Sequence, residues 1–313
     1  MLTASADLKN TRLKKRYGIK KDPKLALFLI PFVVLTFLFS YVPLMGWIVA
    51  FYDYKPAIPL FQNEFVGLDN FLYFAKDKRE LLRVVKNTVV FAGLGYLVSW
   101  VPMLLAVLLN EVKCSPYKRL VQTVTTFPNF ISWVIVYSLA FQLFSYEGVV
   151  STLLVDLGLV DSPVSVLADR DAVYAFQTCV SLWKSVGWNS ILYMAAIAGV
   201  DQELYEAAAV DGANRFRRIW HITLPSLLPT FIVLQLLAVS SFVGVGFDQY
   251  YVFRNSVVSV NLDVIDVYTY LIGLGAMDYS YGTAIGIVKS AISLVLLFGT
   301  NCLAAKIRGN TII

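Results

Sequence analysis

Few side chains in this sequence could do covalent chemistry, and none is grouped for it. The single histidine, His221, cannot form a metal site, and a Ser-His-Asp set would have to be built around it alone. Three cysteines, Cys114, Cys179 and Cys302, are scattered singly and give neither a disulfide framework nor zinc spacing. No G-x-x-x-x-G-K-[ST] phosphate loop is present, so the chain cannot hydrolyse ATP by itself. The nearest imitation, GTAIGIVKS (Gly282 to Ser290), has the wrong glycine spacing and lies in an apolar run, where small residues favour close helix packing. What remains is the chemistry of non-covalent recognition. Two lysines, Lys184 and Lys289, sit inside long apolar runs, where a charge is costly and usually faces a cavity or a partner. Gln177, Ser181, Lys184 and Trp188 recur at helical spacing, as do Gly282, Gly286, Lys289 and Ser293. With Asn189, Asp248, Gln249 and Tyr250 they form a candidate path of aromatic faces, amides and cations. The alternative stays open that each lysine pairs with Asp248, with a backbone carbonyl or with a second membrane protein.

These residues need elements to hold them, and composition says where the elements lie. Of 313 residues, 58% are hydrophobic and only 15% charged. A soluble domain would carry roughly a quarter charged residues, so lipid has to cover the excess apolar surface. Spanning takes roughly 20 mostly apolar residues in a helix, and six runs qualify: 25–50, 87–110, 120–145, 173–199, 227–252 and 283–305. The expected fold class is an all-α integral membrane protein with six transmembrane helices. The first run is too long for a signal-peptide core and has no small-residue cleavage site, so it reads as a retained anchor. Sixteen Lys and Arg fall on the side that holds both termini, and eight on the other. The positive-inside rule then places both termini in the cytoplasm. It also explains the net charge of +5 without nucleic acid. The domain layout expected is a basic tail over 1–24, a six-helix domain over 25–305 with a polar loop at 201–225, and a short tail over 306–313. In the first outside loop, 71–86 reads as an amphipathic helix lying on the surface. Trp47, Tyr52 and Tyr54 suit an interfacial belt.

The loop between the fourth and fifth runs is the least ordinary stretch. Residues 201–210 (DQELYEAAAV) favour helix, with Asp201 as N-cap and acids in the first turn. Asp211-Gly212 breaks that helix. A second short amphipathic helix can begin at Asn214 and run through Phe216, Ile219, Trp220 and Thr223, and Leu224-Pro225 is expected to end it. Two short helices joined at a glycine make a compact knob. Its bare alanines and its two aromatic anchors, Phe216 and Trp220, suit a groove in another protein.

Glu206-Ala207-Ala208, Asp211-Gly212-Ala213 and the terminal Ile222-Thr223-Leu224-Pro225 resemble the EAA motif of permease subunits in bacterial ATP-binding-cassette importers. YVPLMGWIVAFYDYKP, FVGLDNF, WKSVGWNSILYMAAIAGVDQELYEAA and VIDVYTYLIGL extend the likeness over nearly the whole chain. They are most similar to carbohydrate permeases, including those for alginate and pectin fragments. The resemblance implies a cytoplasmic coupling loop that docks into an ATPase, so Glu206, Ala207, Ala208, Asp211, Gly212, Ala213, Phe216, Trp220, Leu224 and Pro225 would be coupling residues. It further implies a second permease, a paralogue, two ATPase subunits that bind ATP and Mg, and an extracytoplasmic solute-binding protein. The location implied is the bacterial cytoplasmic (inner) membrane and the substrate an oligosaccharide. Within the path, tryptophan and tyrosine would then stack on sugar rings, amides would bond hydroxyls and lysines would attract uronate carboxylates. No cofactor is expected in this chain. The competing reading is a stand-alone ion-coupled transporter or channel, against which stands the lack of an intramembrane carboxylate pair or a clear inverted repeat. A membrane enzyme is weaker still, lacking a nucleophile and base.

Overall fold

Hydrocarbon offers no water to a peptide group, so a chain this apolar has to close its backbone hydrogen bonds within helices. The computed structural model describes residues 23–76, 78–240, 244 and 246–308, and there the chain is helical, with no strand beyond one isolated bridge between Tyr52 and Phe65. The tail expected over 1–24 therefore lies outside the described residues as far as 22, as does 309–313 of the C-terminal tail. Two compact units divide the chain, Met1–Val49 and Ala50–Ile313.

The first unit holds α1 (Pro23–Thr36), a π turn at Phe37–Tyr41 and the start of a 3-10 segment, Val42–Phe51. Pro31 and Pro43 each lack an N–H, which accounts for a helix that changes winding rather than running evenly. The segment is apolar on every face, as suits a helix solvated by lipid.

In the second unit come α2 (Asp69–Lys76), α3 (Lys78–Val98), α4 (Val101–Glu111), α5 (Ser115–Thr126), α6 (Trp133–Phe144), α7 (Val149–Asp156) and α8 (Val173–Ala198). After these follow α9 (Gln202–Val210), α10 (Arg215–Arg218), α11 (Leu224–Ser240), α12 (Asp248–Phe253), α13 (Ser259–Leu262), α14 (Ile265–Tyr270) and α15 (Tyr279–Arg308). Among the described residues five stretches are long and apolar enough to cross a membrane: Leu27–Phe51, Lys78–Glu111, Trp133–Asp156, Arg215–Val239 and Tyr279–Cys302. Helix α8 has 26 residues, about 39 Å at 1.5 Å per residue, but is too polar to be among them.

Several boundaries differ from expectation, each for a local reason. Residues 78–86 belong to α3 and not to a surface helix, because Arg83 finds carboxylates at Glu80 (2.5 Å) and Asp263 (3.3 Å). The run expected over 120–145 is broken. Helix α5 ends at Thr126, Pro128 sits in a 3-10 turn over Phe127–Phe130, and Ser132 starts α6 by accepting the Ile135 N–H (3.4 Å). Of the run expected over 227–252, α11 is described as far as Ser240, residues 241–243 and 245 lie outside the described residues, and α12 is a separate helix. Leu224-Pro225 does not end the knob's second helix. A π turn at Ile219–Thr223 leads from α10 into α11, and the wider turn admits a proline that has no N–H to give. At the C-terminus α15 continues to Arg308, past the boundary expected at 305.

Helix α8 is the spine, packed most extensively on α4 and also on α3, α5 and α11. One core cluster gathers Phe91, Val136, Tyr250, Phe253, Leu262 and Val267; another gathers Ala106, Val107, Tyr193, Ile197 and Leu227. The approach of α8 to α5 depends on Gly187, where an added Cβ would run into the backbone carbonyl of Thr125. Gly187→Ala should gain about 1 kcal/mol of helix propensity yet lose more to overpacking, which costs about 1–3 kcal/mol and more against rigid backbone. A thermal midpoint several degrees below wild type in detergent is the expected result. An unchanged or raised midpoint would mean that α5 yields freely.

Candidate functional site

Two features collect the polar and aromatic residues picked out above: the knob before α11 and a cavity between α3, α8 and α11. In the knob, Asp201 caps α9 by accepting the Glu203 N–H (3.0 Å), and Asn214 caps α10 by accepting that of Arg217 (2.9 Å). Between them Gly212 adopts φ +76°, in the left-handed region. Ala213 N–H then donates to Ala208 O (2.9 Å) and Gly212 N–H to Ala209 O (3.1 Å), the paired bonds of a Schellman end. Tyr205 and Thr223 share a hydroxyl hydrogen bond (3.0 Å) that ties the knob to the foot of α11. The lone imidazole is absorbed locally: His221 Nδ1 donates to the Arg217 carbonyl (2.9 Å).

The knob's outer face is unusually apolar. Phe216 and Trp220 stack at 6.3 Å with 15° between ring planes, and they are 72% and 60% exposed. Asn214, Arg217 and His221 complete a concavity of about 320 Å³ around them. Glu206, Ala207, Asp211, Gly212 and Pro225 are exposed, and Ala208 and Ala213 half-buried. Leu224 is half-buried and packs into the cluster around Leu227.

The cavity holds about 390 Å³. Helix α3 contributes Phe91, Gly95 and Tyr96, α8 contributes Thr178, Ser181, Ser185 and Asn189, α11 contributes Gln235, and Tyr250 reaches in from α12. Tyr96 donates to the Gln235 backbone carbonyl (3.1 Å), while the Gln235 side-chain oxygen is enclosed and accepts no hydrogen bond. Such an acceptor is costly to bury and suits a hydroxyl donor.

Of the path candidates, Ser181, Asn189 and Tyr250 line this cavity and the others do not. The Gln177 side chain is buried, and its oxygen accepts from Gln249 Nε2 (2.9 Å). Trp188 is exposed, edge-on to Phe130 at 5.7 Å. Lys184 Nζ donates to the backbone carbonyls of Pro128 (3.1 Å), Asn129 (2.8 Å) and Ile131 (2.6 Å), and lies over the Trp133 ring. Lys289 pairs with Asp266 of α14. Asp248 is exposed in the first turn of α12, and Ser293 is half-buried on α15.

Sequence reasoning missed three polar residues that organise the other end of the bundle. Asn87 is buried and donates to Val260 O (2.9 Å) and Asp263 O (3.1 Å) while accepting from the Tyr174 hydroxyl (2.6 Å). Asp263 is buried between Arg83 and Arg254, the latter at 2.8 Å. Asp266 holds Lys289. An amide at the start of an apolar run was a usable signal for Asn87; nothing local marked the two carboxylates.

Comparison with known proteins identifies the architecture. Residues 99–309 match the family described as "Binding-protein-dependent transport system inner membrane component". The chain belongs to this family. Among its curated relatives, Protein LplB of Bacillus subtilis (strain 168) is 42% identical over 291 residues, 92% of this chain and 91% of that protein. The same organism's "Polygalacturonan/rhamnogalacturonan transport system permease protein YteP" is 37% identical over 94% of this chain and 92% of that one. A solved structure of a bacterial ABC transporter involved in the import of the acidic polysaccharide alginate superposes with a TM-score of 0.83. Its matching chain is 34% identical, over 95% of this chain and 99% of that chain. Alginate pentasaccharide-bound periplasmic protein accompanies a second such transporter structure, with a TM-score of 0.83 and 33% identity over 94% and 98%. The family members are transport subunits.

Lys184→Met would strand the half-buried carbonyls of Asn129 and Ile131 at the break between α5 and α6, while Pro128 O keeps the Ile131 N–H (3.2 Å). Each unsatisfied group costs about 1–3 kcal/mol, so a loss of at least about 2 kcal/mol is expected in chemical denaturation of the purified protein. A loss below about 1 kcal/mol would show that water replaces the ammonium.

Proposed function

We propose that this chain is the permease subunit of a binding-protein-dependent, ATP-driven importer of oligosaccharides. It would form one half of the translocation path and couple it to ATPase subunits. The single observation that carries the reading is the knob: a short two-helix body, rigidly capped at both ends, that presents a stacked Phe216–Trp220 pair to solvent. An exposed aromatic pair on a preorganised knob costs little to order and much to leave wet, so a groove in a partner is its natural cover. Glu206, Ala207, Ala208, Asp211, Gly212 and Ala213 would form the approach face, and Leu224-Pro225 the joint to α11.

Around the knob the rest of the assembly follows. Helix α8 would be a sixth span, polar because other helices rather than lipid surround it. The basic residues would place both termini and the knob in the cytoplasm. A paralogous second permease, two ATPases that bind ATP and Mg, and an extracytoplasmic binding protein would complete the complex in the inner membrane. The domain layout proposed is a cytoplasmic tail over 1–24, a six-helix domain over 25–305 with the coupling loop at 201–225, and a tail from 306. Closure of the ATPases would move the knobs and tilt α11 as a rigid body, re-opening the path on the far side. The substrate class is supported by relatives whose names specify alginate and polygalacturonan, both acidic polysaccharides. Within this chain Ser181, Ser185, Asn189, Tyr96, Tyr250 and Gln235 supply hydroxyl and amide partners for a sugar.

Gly212→Pro would force φ from +76° to about −65° and delete the N–H that bonds Ala209. Membrane insertion should survive while ATP-driven uptake in liposomes falls to background. Glu206→Lys should likewise leave insertion intact and uncouple or detach the ATPase. Trp220→Ala should weaken ATPase association about 30-fold, the size of a 2 kcal/mol hot spot. Full-rate import by the Gly212→Pro or Glu206→Lys protein would refute the coupling role.

A further inference from the structure

A second, polar pocket of about 340 Å³ lies at the end of the bundle opposite the knob. Arg83, Lys86 and Asn87 of α3 line it with Arg170, Asp171 and Tyr174 before and within α8 and Val260 and Asn261 of α13. Its walls are fixed by hydrogen bonds. Arg170 Nε donates to Val257 O (2.8 Å) and Asn261 Nδ2 to Arg170 O (2.9 Å), so two loops hold each other. Asn87 is fully engaged beneath them with Val260, Asp263 and Tyr174.

The charges in this pocket do not cancel. Arg83 is matched by Glu80 and Asp263. Among the described residues Lys86 has no carboxylate partner, and Arg170 uses only its Nε, on a carbonyl. Asp171 is the one acid on the wall, facing two unmatched cations. The volume falls in the usual range of small-molecule sites, about 300–1,000 Å³. A guanidinium fork and an ammonium on a fixed frame recognise a carboxylate by charge-assisted hydrogen bonds.

Position relates this pocket to the cavity. Arg83, Asn87, Phe91 and Gly95 follow at four-residue steps on α3, and Tyr174, Thr178, Ser181 and Ser185 share one face of α8. The polar pocket takes the first members of both rows and the cavity the later ones. Between them lies a layer of three rings, with Phe91 to Tyr174 at 5.0 Å and Phe91 to Tyr250 at 4.5 Å. We propose that the Lys86–Arg170 pocket is an entry subsite for the carboxylate of an acidic sugar, one ring layer outside the cavity. The inference rests on the importer reading for its orientation, since α3 and α8 then begin on the extracytoplasmic side.

The test titrates the purified complex with a galacturonate trisaccharide and with its carboxyl-reduced neutral counterpart, and measures ATP-driven uptake of both in liposomes. Lys86→Gln should weaken acid binding and slow acid uptake about tenfold and leave the neutral sugar unchanged. Lys86→Arg should behave as wild type, and Arg170→Gln should repeat the selective loss. Equal losses for both sugars, no loss for either, or no acid binding by wild type would each overturn the subsite. A variant that binds the trisaccharide normally but loses affinity for the loaded binding protein would also overturn it, making the pocket a protein contact. Absence of ATP-driven uptake by the wild-type complex would instead sink the importer reading, with the titration still deciding the pocket.

Discussion

A helix broken within an apolar bundle leaves carbonyls that need a donor from elsewhere in the chain, and this bundle is arranged around one such break. Between α5 and α6 the chain turns through Pro128, and the freed carbonyls of Pro128, Asn129 and Ile131 converge on Lys184 of α8. One ammonium has three donors and finds three acceptors, so charge and hydrogen-bond count are met together. The bond set also fixes geometry. It seats α8 at a single height against α5, where Gly187 has already removed the side chain that would hold the helices apart. Everything that lines the cavity from α8 inherits that height.

The faces of α8 divide the work. The side carrying Gln177 and Lys184 is spent on structure, through Gln249 and the broken helix. The side carrying Thr178, Ser181, Ser185 and Asn189 is left to the cavity. Such a division suits a path for a polar solute. A cavity wall made of residues with internal obligations would rearrange whenever a sugar arrived, whereas a wall of short hydroxyls and one free amide can exchange partners at low cost.

Much of this was legible in the sequence because helix and lipid impose strong patterns. The apolar runs over 25–50 and 283–305 survive with small shifts, and the caps at Asp201 and Asn214 and the break at Gly212 fall where short-range chemistry puts them. The run over 120–145 misleads because hydropathy does not register that one proline ends a helix when a distant lysine can take up the carbonyls. Periodicity alone grouped Gln177, Lys184 and Trp188 on one face, which is correct for a helix and silent about what that face meets. Asp263 and Asp266 carry no local signature; their partners Arg83, Arg254 and Lys289 come from other turns and other helices.

The π turn that admits Pro225 also decides how the knob and the cavity are linked mechanically. Because Arg215–Val239 is one continuous helical rod, Phe216 and Gln235 are opposite ends of a single beam. Thr223 and Leu227, both fully enclosed, grip that beam near its middle, about 15 Å from either end at 1.5 Å per residue. A beam held at its centre gives no amplification, but it reverses sense. A push on Phe216 would swing Gln235 in the opposite sense by about the same distance, so a displacement of the knob and a change in the width of the cavity would be one motion seen from its two ends.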